Sequence, residues 1–473
     1  MKDNSHEPPQ IAIKFANLVF VLGVLFFVFL IIFSICRFYN PTDDAIIKFS
    51  NDELLRYYLK LIFIGVIGLI FFGFGLRLKI DLKVNLSVML VTTVITVYGF
   101  ETFFREKNPR AIKAKQMSVS YDTRTKIEVL DDLIDFGIKA FPNVIPGAHL
   151  TDNGTIYNFG GISNITTIFS NESGYYPIIK TDEHGFNNPR GLYNENAVDI
   201  VLSGDSFTEG LSVNWNESIS AVLREAGYRA ISIGKRDNGP LLEFAALKEY
   251  AEPLKPKIVL WVYFANDMDE LIEEVKSPVL RKYLNKDGFS QNLISRQEEI
   301  DSVLINYVQG KWERKKKIVD IIKLSKLRNL IHLVPKLKPK PKPKPAPTTI
   351  FKDILQQSKQ MVSEWGGEMY FVYLPSFYSQ TPPYFFSETS PVHANHYSLS
   401  EERNREIVMQ TATELDIPII DIHNEVFKTH PDPLSLFPFR IPGHYNAEGY
   451  RLVAEAIGKR LEADGYVPIK SKK

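Results

Sequence analysis

The spacing of apolar residues changes twice along the chain. In the first hundred residues they form unbroken runs: Ala16–Cys36, Leu61–Leu76 and Val84–Phe100. Ala16–Cys36 carries no charge and has about 20 positions, the length that crosses a hydrocarbon core. It is too long for a signal-peptide core, and no small-residue cleavage site follows it. Leu61–Leu76 is a second run of the same kind. Ser87, Thr92, Thr93 and Thr96 interrupt the third, so a re-entrant or interfacial helix is the alternative to a span there. After about residue 105 the apolar positions are spaced rather than continuous. Ile127–Phe141 has helical spacing. From Gly147 to Pro189 the chain is rich in Gly, Asn, Thr and Tyr, and Gly160–Phe169 and Tyr175–Lys180 are predicted as strands of a small antiparallel lead-in.

A regular alternation follows. Val198–Leu202, Ala230–Gly234, Lys257–Phe264, Met369–Pro375 and Ile417–Ile422 read as buried strands. Ser218–Ala226, Pro240–Tyr250, Glu401–Leu415 and Ala447–Ala463 read as helices between or after them. Strands without polar alternation, joined through helices, imply a five-stranded, mostly parallel sheet covered on both faces. The expected organisation is a three-helix transmembrane region (1–104), a connector with a β-rich lead-in (105–194) and an α/β domain (195–473). Residues of about 270–350 interrupt that domain. There, Ile318–Leu333 has an apolar stripe beside Lys315, Lys316, Lys317, Lys323, Lys326 and Arg328, which suits either a helix lying on anionic lipid or one packed on the core. The Lys-Pro repeat Pro335–Pro347 is expected to be an extended polyproline II spacer.

Charge narrows the picture. The net charge of +1 gives no global field for nucleic acid. The single cysteine, Cys36, excludes an intramolecular disulfide and a cysteine-based zinc site. Arg77, Lys79 and Lys83 lie between the second and third runs, whereas Asp43, Asp44, Asp52 and Glu53 lie between the first and second. Basic loops stay in the cytoplasm, so everything after about Arg105 is expected on the opposite side, the periplasm or outer surface of a bacterial inner membrane. A transporter is a poor reading, because the runs carry almost no central charge. The basic segment Arg105, Lys107, Arg110, Lys113 and Lys115 fits lipid headgroups or a solvated connector. His393, His396 and His430 read as loop histidines rather than a metal site, and no cofactor is implied.

The candidate chemistry lies at strand ends. Val198–Leu202 runs into Ser203-Gly-Asp-Ser-Phe-Thr-Glu-Gly210, as a parallel strand does when it emerges at the sheet edge where ligands bind. Ser206 there is either a nucleophile or merely an N-cap. Gly234 brings a backbone N–H without a Cβ, and Asn266 a neutral side-chain donor. With the Ser206 N–H they could form an oxyanion hole. His444, just before the last helix, is placed to be the base. The Asp182, His184 and Asn187 loop reads as a turn held by Asx-type bonds and Gly185, with a cleft role as the alternative.

The ordered set Gly204-Asp205-Ser206, Gly234, Asn266-Asp267 and His444-Tyr-Asn-Ala-Glu-Gly449 resembles the four blocks of the SGNH (GDSL) hydrolase superfamily over residues of about 195–470. The resemblance implies a three-layer α/β/α sandwich and Ser–His ester chemistry: Ser206 as nucleophile, His444 as base, and Ser206, Gly234 and Asn266 at the oxyanion. Phe264 stands where the family usually has glycine, and Ile441 where it usually has the aspartate that orients the histidine. Asp432 could reach in as that acid, or none is used. The function expected is a membrane-anchored serine esterase or O-acyl transferase. Its partners would be the bilayer, an acylated substrate such as envelope polysaccharide and, for transfer, a membrane acyl-donor protein. The alternative is a catalytically inactive, membrane-tethered binding or assembly protein on the same scaffold.

Overall fold

A computed structural model describes residues 8–40, 51–103, 108–151, 154–193, 198–314, 324, 327–328, 347–380 and 391–468. The chain divides into two compact units, residues 1–106 with 313–344 and residues 107–312 with 345–473.

The first unit is built on helices α1 (Gln10–Tyr39), α2 (Asn51–Gly75) and α3 (Ile80–Phe103). Each is long and apolar enough to cross a membrane. The polar positions of α3 do not break it, because their hydroxyls donate to carbonyls one turn back: Thr93 to Met89 at 2.8 Å and Thr96 to Thr92 at 2.9 Å. This satisfies the polar atoms within the helix itself. Glycines let α1 and α2 approach closely. A Cβ on Gly23 would lie 2.1 Å from the Phe72 ring, and one on Gly68 2.5 Å from Phe27. Within the same unit the Leu327 N–H donates to the Glu101 carboxylate at 2.9 Å, and the Arg328 guanidinium bonds the Tyr57 hydroxyl. Most of the basic stretch around these two residues and the Lys-Pro repeat fall outside the described residues.

The second unit opens with α4 (Pro109–Gln116) and α5 (Lys126–Asp135), then short strands β1 (Ala140–Pro142), β2 (Gly147–Thr151), β3 (Gly154–Asn158), β4 (Thr166–Ile168) and β5 (Ile178–Lys180). The lead-in is less simple than its sequence suggests. β2 and β3 form an antiparallel hairpin, but β1 pairs parallel with β4, which pairs antiparallel with β5. The helix expected over 127–141 stops at Asp135, since Ala140–Pro142 finds a sheet partner 26 residues away in register with Thr166–Ile168. The 181–189 loop is a buried turn. Asp182 Oδ1 accepts from the His184 and Phe186 N–H groups, each at 2.9 Å, and Oδ2 accepts from Asn188 at 2.8 Å. Gly185 supplies the left-handed φ of 80° that the turn requires.

The α/β core comprises β6 (Ile200–Gly204), α6 (Ser206–Glu209), α7 (Ile219–Glu225), β7 (Ala230–Ser232), α8 (Pro240–Ala246), β8 (Ile258–Tyr263), α9 (Asp267–Glu274), α10 (Pro278–Asn285), α11 (Gln297–Arg314), α12 (Thr348–Glu364), β9 (Glu368–Tyr373), α13 (Pro391–Glu414), β10 (Ile419–Asp421) and α14 (Ala447–Ala463). The five strands β6–β10 form one parallel sheet in the order β10-β9-β8-β6-β7. Alternate residues feed two cores. Val201, Val259, Trp261 and Phe371 face Leu241, Phe244 and Ile354 of α8 and α12. Ile200, Leu260, Val372 and Ile420 face Leu223, Val453 and Ile457 of α7 and α14. The domain is therefore a three-layer α/β/α sandwich, and central strand β8 is apolar throughout because both of its faces are buried. The strand order reverses direction beside β6. Its carboxyl end is the topological switch point, where side chains from neighbouring connections converge on a crevice.

Candidate active site

β6 ends in Gly204, where no side chain fits: a Cβ would lie 2.1 Å from Thr208 Oγ1 and 2.8 Å from the Val262 carbonyl. Asp205 caps the single turn of α6 by accepting from the Phe207 N–H at 2.9 Å. That turn presents Ser206 at the sheet edge, 8 % exposed. The Asp205 carboxyl is buried, which pushes its pKa up against the pull of its Phe207 hydrogen bond and the nearby His444 charge.

His444 comes from the opposite end of the domain. Its loop is pinned by the Tyr445 hydroxyl on the Pro375 carbonyl at 2.5 Å, by the Asn446 N–H on the Leu436 carbonyl at 2.9 Å, and by Asn446 capping α14. His444 Nε2 lies 2.8 Å from Ser206 Oγ. The imidazole lies 4.7 Å from the Phe207 ring, which Phe264 backs at 4.1 Å. Phe264, at the position where the resemblance leads one to expect glycine, thus helps wall the imidazole.

The third member of the constellation is Glu172, in the connection between β4 and β5. One oxygen, Oε2, accepts from the His444 backbone N–H and meets His444 Nδ1, both at 3.0 Å. Burial alone would raise this carboxyl. The His444 hydrogen bonds and charge, with the charge of Arg110, outweigh burial and hold its pKa at about 2. An ionised acceptor at Nδ1 selects the tautomer that carries its proton there and leaves Nε2 free to accept from Ser206 Oγ. Arg110 Nη2 donates to the Pro442 carbonyl at 2.7 Å and lies 3.7 Å from Glu172 Oε2.

Asp432, the acid suggested by its nearness to the histidine in sequence, is engaged elsewhere. Its carboxylate pairs with Arg440 and its N–H bonds His430 Nδ1 at 3.1 Å. Gly234 also differs from expectation. Its N–H points to Ser232 Oγ at 3.2 Å, and a Cβ there would lie 2.5 Å from Thr208 Cβ and 3.0 Å from the Asp205 carbonyl. It is a close-packing position beneath the turn that carries Ser206. Asn266 follows β8 at the same edge of the sheet and starts α9. Asp267 closes that turn by accepting from the Phe264 N–H at 2.9 Å.

The lead-in also braces α6 from below. Buried Glu209 accepts from Lys235 Nζ at 2.7 Å, from Asn143 at 2.9 Å and from the Arg236 N–H at 3.0 Å, while Asn187 bonds the Glu209 carbonyl at 2.9 Å. Among the described residues no group of His, Cys, Asp and Glu is arranged to hold a metal ion. The side chains of His393 and His396 lie outside that description.

Solved structures similar to this chain include G-D-S-L-family proteins, esterases and acylhydrolases. One is a protein of the G-D-S-L family from Desulfitobacterium hafniense, 14 % identical, covering 55 % of this chain and 96 % of its own at a TM-score of 0.30. Another is a lipase/acylhydrolase from Enterococcus faecalis, 12 % identical, covering 56 % and 96 % at 0.30. A third is an acetylxylan esterase from Geobacillus stearothermophilus in a catalytic-mutant form, 14 % identical, covering 59 % and 100 % at 0.31. No protein-family model matches the chain, and no curated protein does either.

Proposed function

We propose that this chain is a membrane-anchored serine esterase or O-acyl transferase. The observation that carries the reading is the continuous relay Ser206 Oγ–His444 Nε2 at 2.8 Å and His444 Nδ1–Glu172 Oε2 at 3.0 Å. In this mechanism His444 Nε2 takes the Ser206 hydroxyl proton as Oγ attacks an ester carbonyl. The resulting oxyanion is met by the Ser206 N–H and the Asn266 side chain. As the tetrahedral intermediate collapses, the C–O bond to the leaving alcohol breaks and His444 returns its proton to that oxygen. Water or an acceptor hydroxyl, deprotonated in turn by His444, then attacks the acyl-enzyme and frees Ser206. Glu172 stabilises the transient imidazolium.

The charge pattern around the three apolar helices supports an extracytoplasmic catalytic domain, and that location favours acylated envelope polysaccharide as substrate. Acyl transfer would draw its donor from a membrane partner, since three spans are few for a donor channel. The test is covalent labelling of the full chain in detergent with a fluorophosphonate. Labelling should occur in the wild type and vanish in Ser206→Ala. A folded wild-type chain that takes no label would favour a catalytically silent binding protein and end the enzymatic reading.

A further inference from the structure

We infer that Arg110, on the first helix after the third apolar span in the chain, is a positioning residue for the His444–Glu172 pair, so that this helix is part of the catalytic apparatus. This rests on the esterase or acyltransferase reading above. The sequence alone offers a lipid-headgroup or connector role for this basic stretch. The structure gives Arg110 a different one. The guanidinium holds the carbonyl of Pro442, two residues before the base, at 2.7 Å, and stands 3.7 Å from the carboxylate that orients the base. One side chain thus ties the loop that carries the histidine to the loop that carries its acid. Gly443 lies in the gap between them: a Cβ there would sit 2.6 Å from Glu172 Oε2 and 2.7 Å from Arg110 Nη2.

Other contacts of the same segment repeat the bridge. The Asp122 N–H donates to the Gly174 carbonyl at 2.7 Å, and Asn171 donates to the Asp122 carbonyl at 3.0 Å, so both flanks of Glu172 are held. Tyr121, whose hydroxyl accepts from Asn108 at 2.9 Å, lies 5.8 Å from the Phe439 ring. Phe439 and Arg440 both adopt left-handed φ values, 55° and 54°. Non-glycine residues hold such conformations only when their surroundings impose them. The segment before residue 125 is part of those surroundings.

Arg110 should act through geometry and through charge. Its cation favours ionised Glu172. The experiment measures the rate of fluorophosphonate labelling against pH for full-length chains in detergent, with thermal unfolding of each variant alongside. Arg110→Ala is expected to label about tenfold or more slowly at neutral pH, and the acid limb of its profile should move to higher pH by on the order of half a unit. Arg110→Lys keeps the charge and should restore the limb while recovering only part of the rate, because an ammonium lacks the planar fork. Lys113→Ala, on the same helix, should behave as wild type. Arg110→Ala with an unmoved profile and wild-type rate would overturn the inference. So would a loss that merely follows a lowered melting temperature, with no return of the limb in the lysine variant. A wild-type chain with no Ser206 labelling would instead overturn the reading beneath it.

Discussion

Replacing Glu172 by glutamine tests the relay most sharply. The side chain keeps its shape, and its amide oxygen can still accept from the His444 backbone N–H. Because one atom, Oε2, meets both that N–H and Nδ1, the amide oxygen placed there still accepts the Nδ1 proton, but the ring no longer faces an anion. The His444 hydrogen bonds and charge, with the charge of Arg110, hold the Glu172 carboxyl at about 2 against burial. A hydrogen bond to a charged partner contributes about 1.5–3 kcal/mol, so losing it from the imidazolium formed in the transition state costs a factor of about 10 to 10². Glu172→Gln should therefore lower the second-order rate constant of fluorophosphonate labelling by about 10 to 10² with little change in melting temperature. Asp432→Ala removes a half-exposed pair with Arg440 and should leave that rate within about twofold, because exposed ion pairs contribute little. If Glu172→Gln labels within about twofold of wild type while Asp432→Ala loses two orders of magnitude, the acid has been misassigned.

Two further substitutions probe the frame under the site. Lys235→Met should cost about 3–5 kcal/mol by leaving the fully buried Glu209 carboxylate without its cation, and Lys235→Met with Glu209→Leu should recover much of it. Both are read from urea unfolding, and an unchanged midpoint in the single variant would refute the accounting. Glu243 lies wholly buried, and burial, with the charges of Asp205 and Glu274, raises its carboxyl well above the usual value. The native state therefore keeps this proton when the unfolded chain has already lost it, so stability should fall as pH rises above the unfolded carboxyl's ~4.5 until the buried group itself ionises. Glu243→Gln should flatten that decline between pH 5 and 8, and an identical slope in wild type and variant would refute it.

What the sequence discloses here follows from how local each feature is. The strand Lys257–Phe264 is legible because a strand buried on both faces needs no partner to explain its composition. The structure trims it to Ile258–Tyr263. β6 runs two residues further than its apolar stretch, since Ser203 and Gly204 still pair with Trp261 and Val262. Ser206 and His444 are legible for a related reason: each sits in a short segment whose glycine, cap or turn residues fix its own geometry. The acid is different. Glu172 stands 272 positions from His444, and nothing in Asn171-Glu-Ser-Gly174 marks it as a partner. It arrives because β4 pairs with both β1 and β5, and because Arg110 and Asp122 hold the connection between β4 and β5. Sequence proximity favoured Asp432, but Arg440 lies nearer and takes its charge. Gly234 misleads in another way, because a glycine that admits a ligand and one that admits a neighbouring side chain look alike until Thr208 is seen against it. The same closure accounts for Ile441. Once a carboxylate reaches Nδ1 from the lead-in, the ring has no second N–H at that nitrogen for an acid three residues before the histidine to orient.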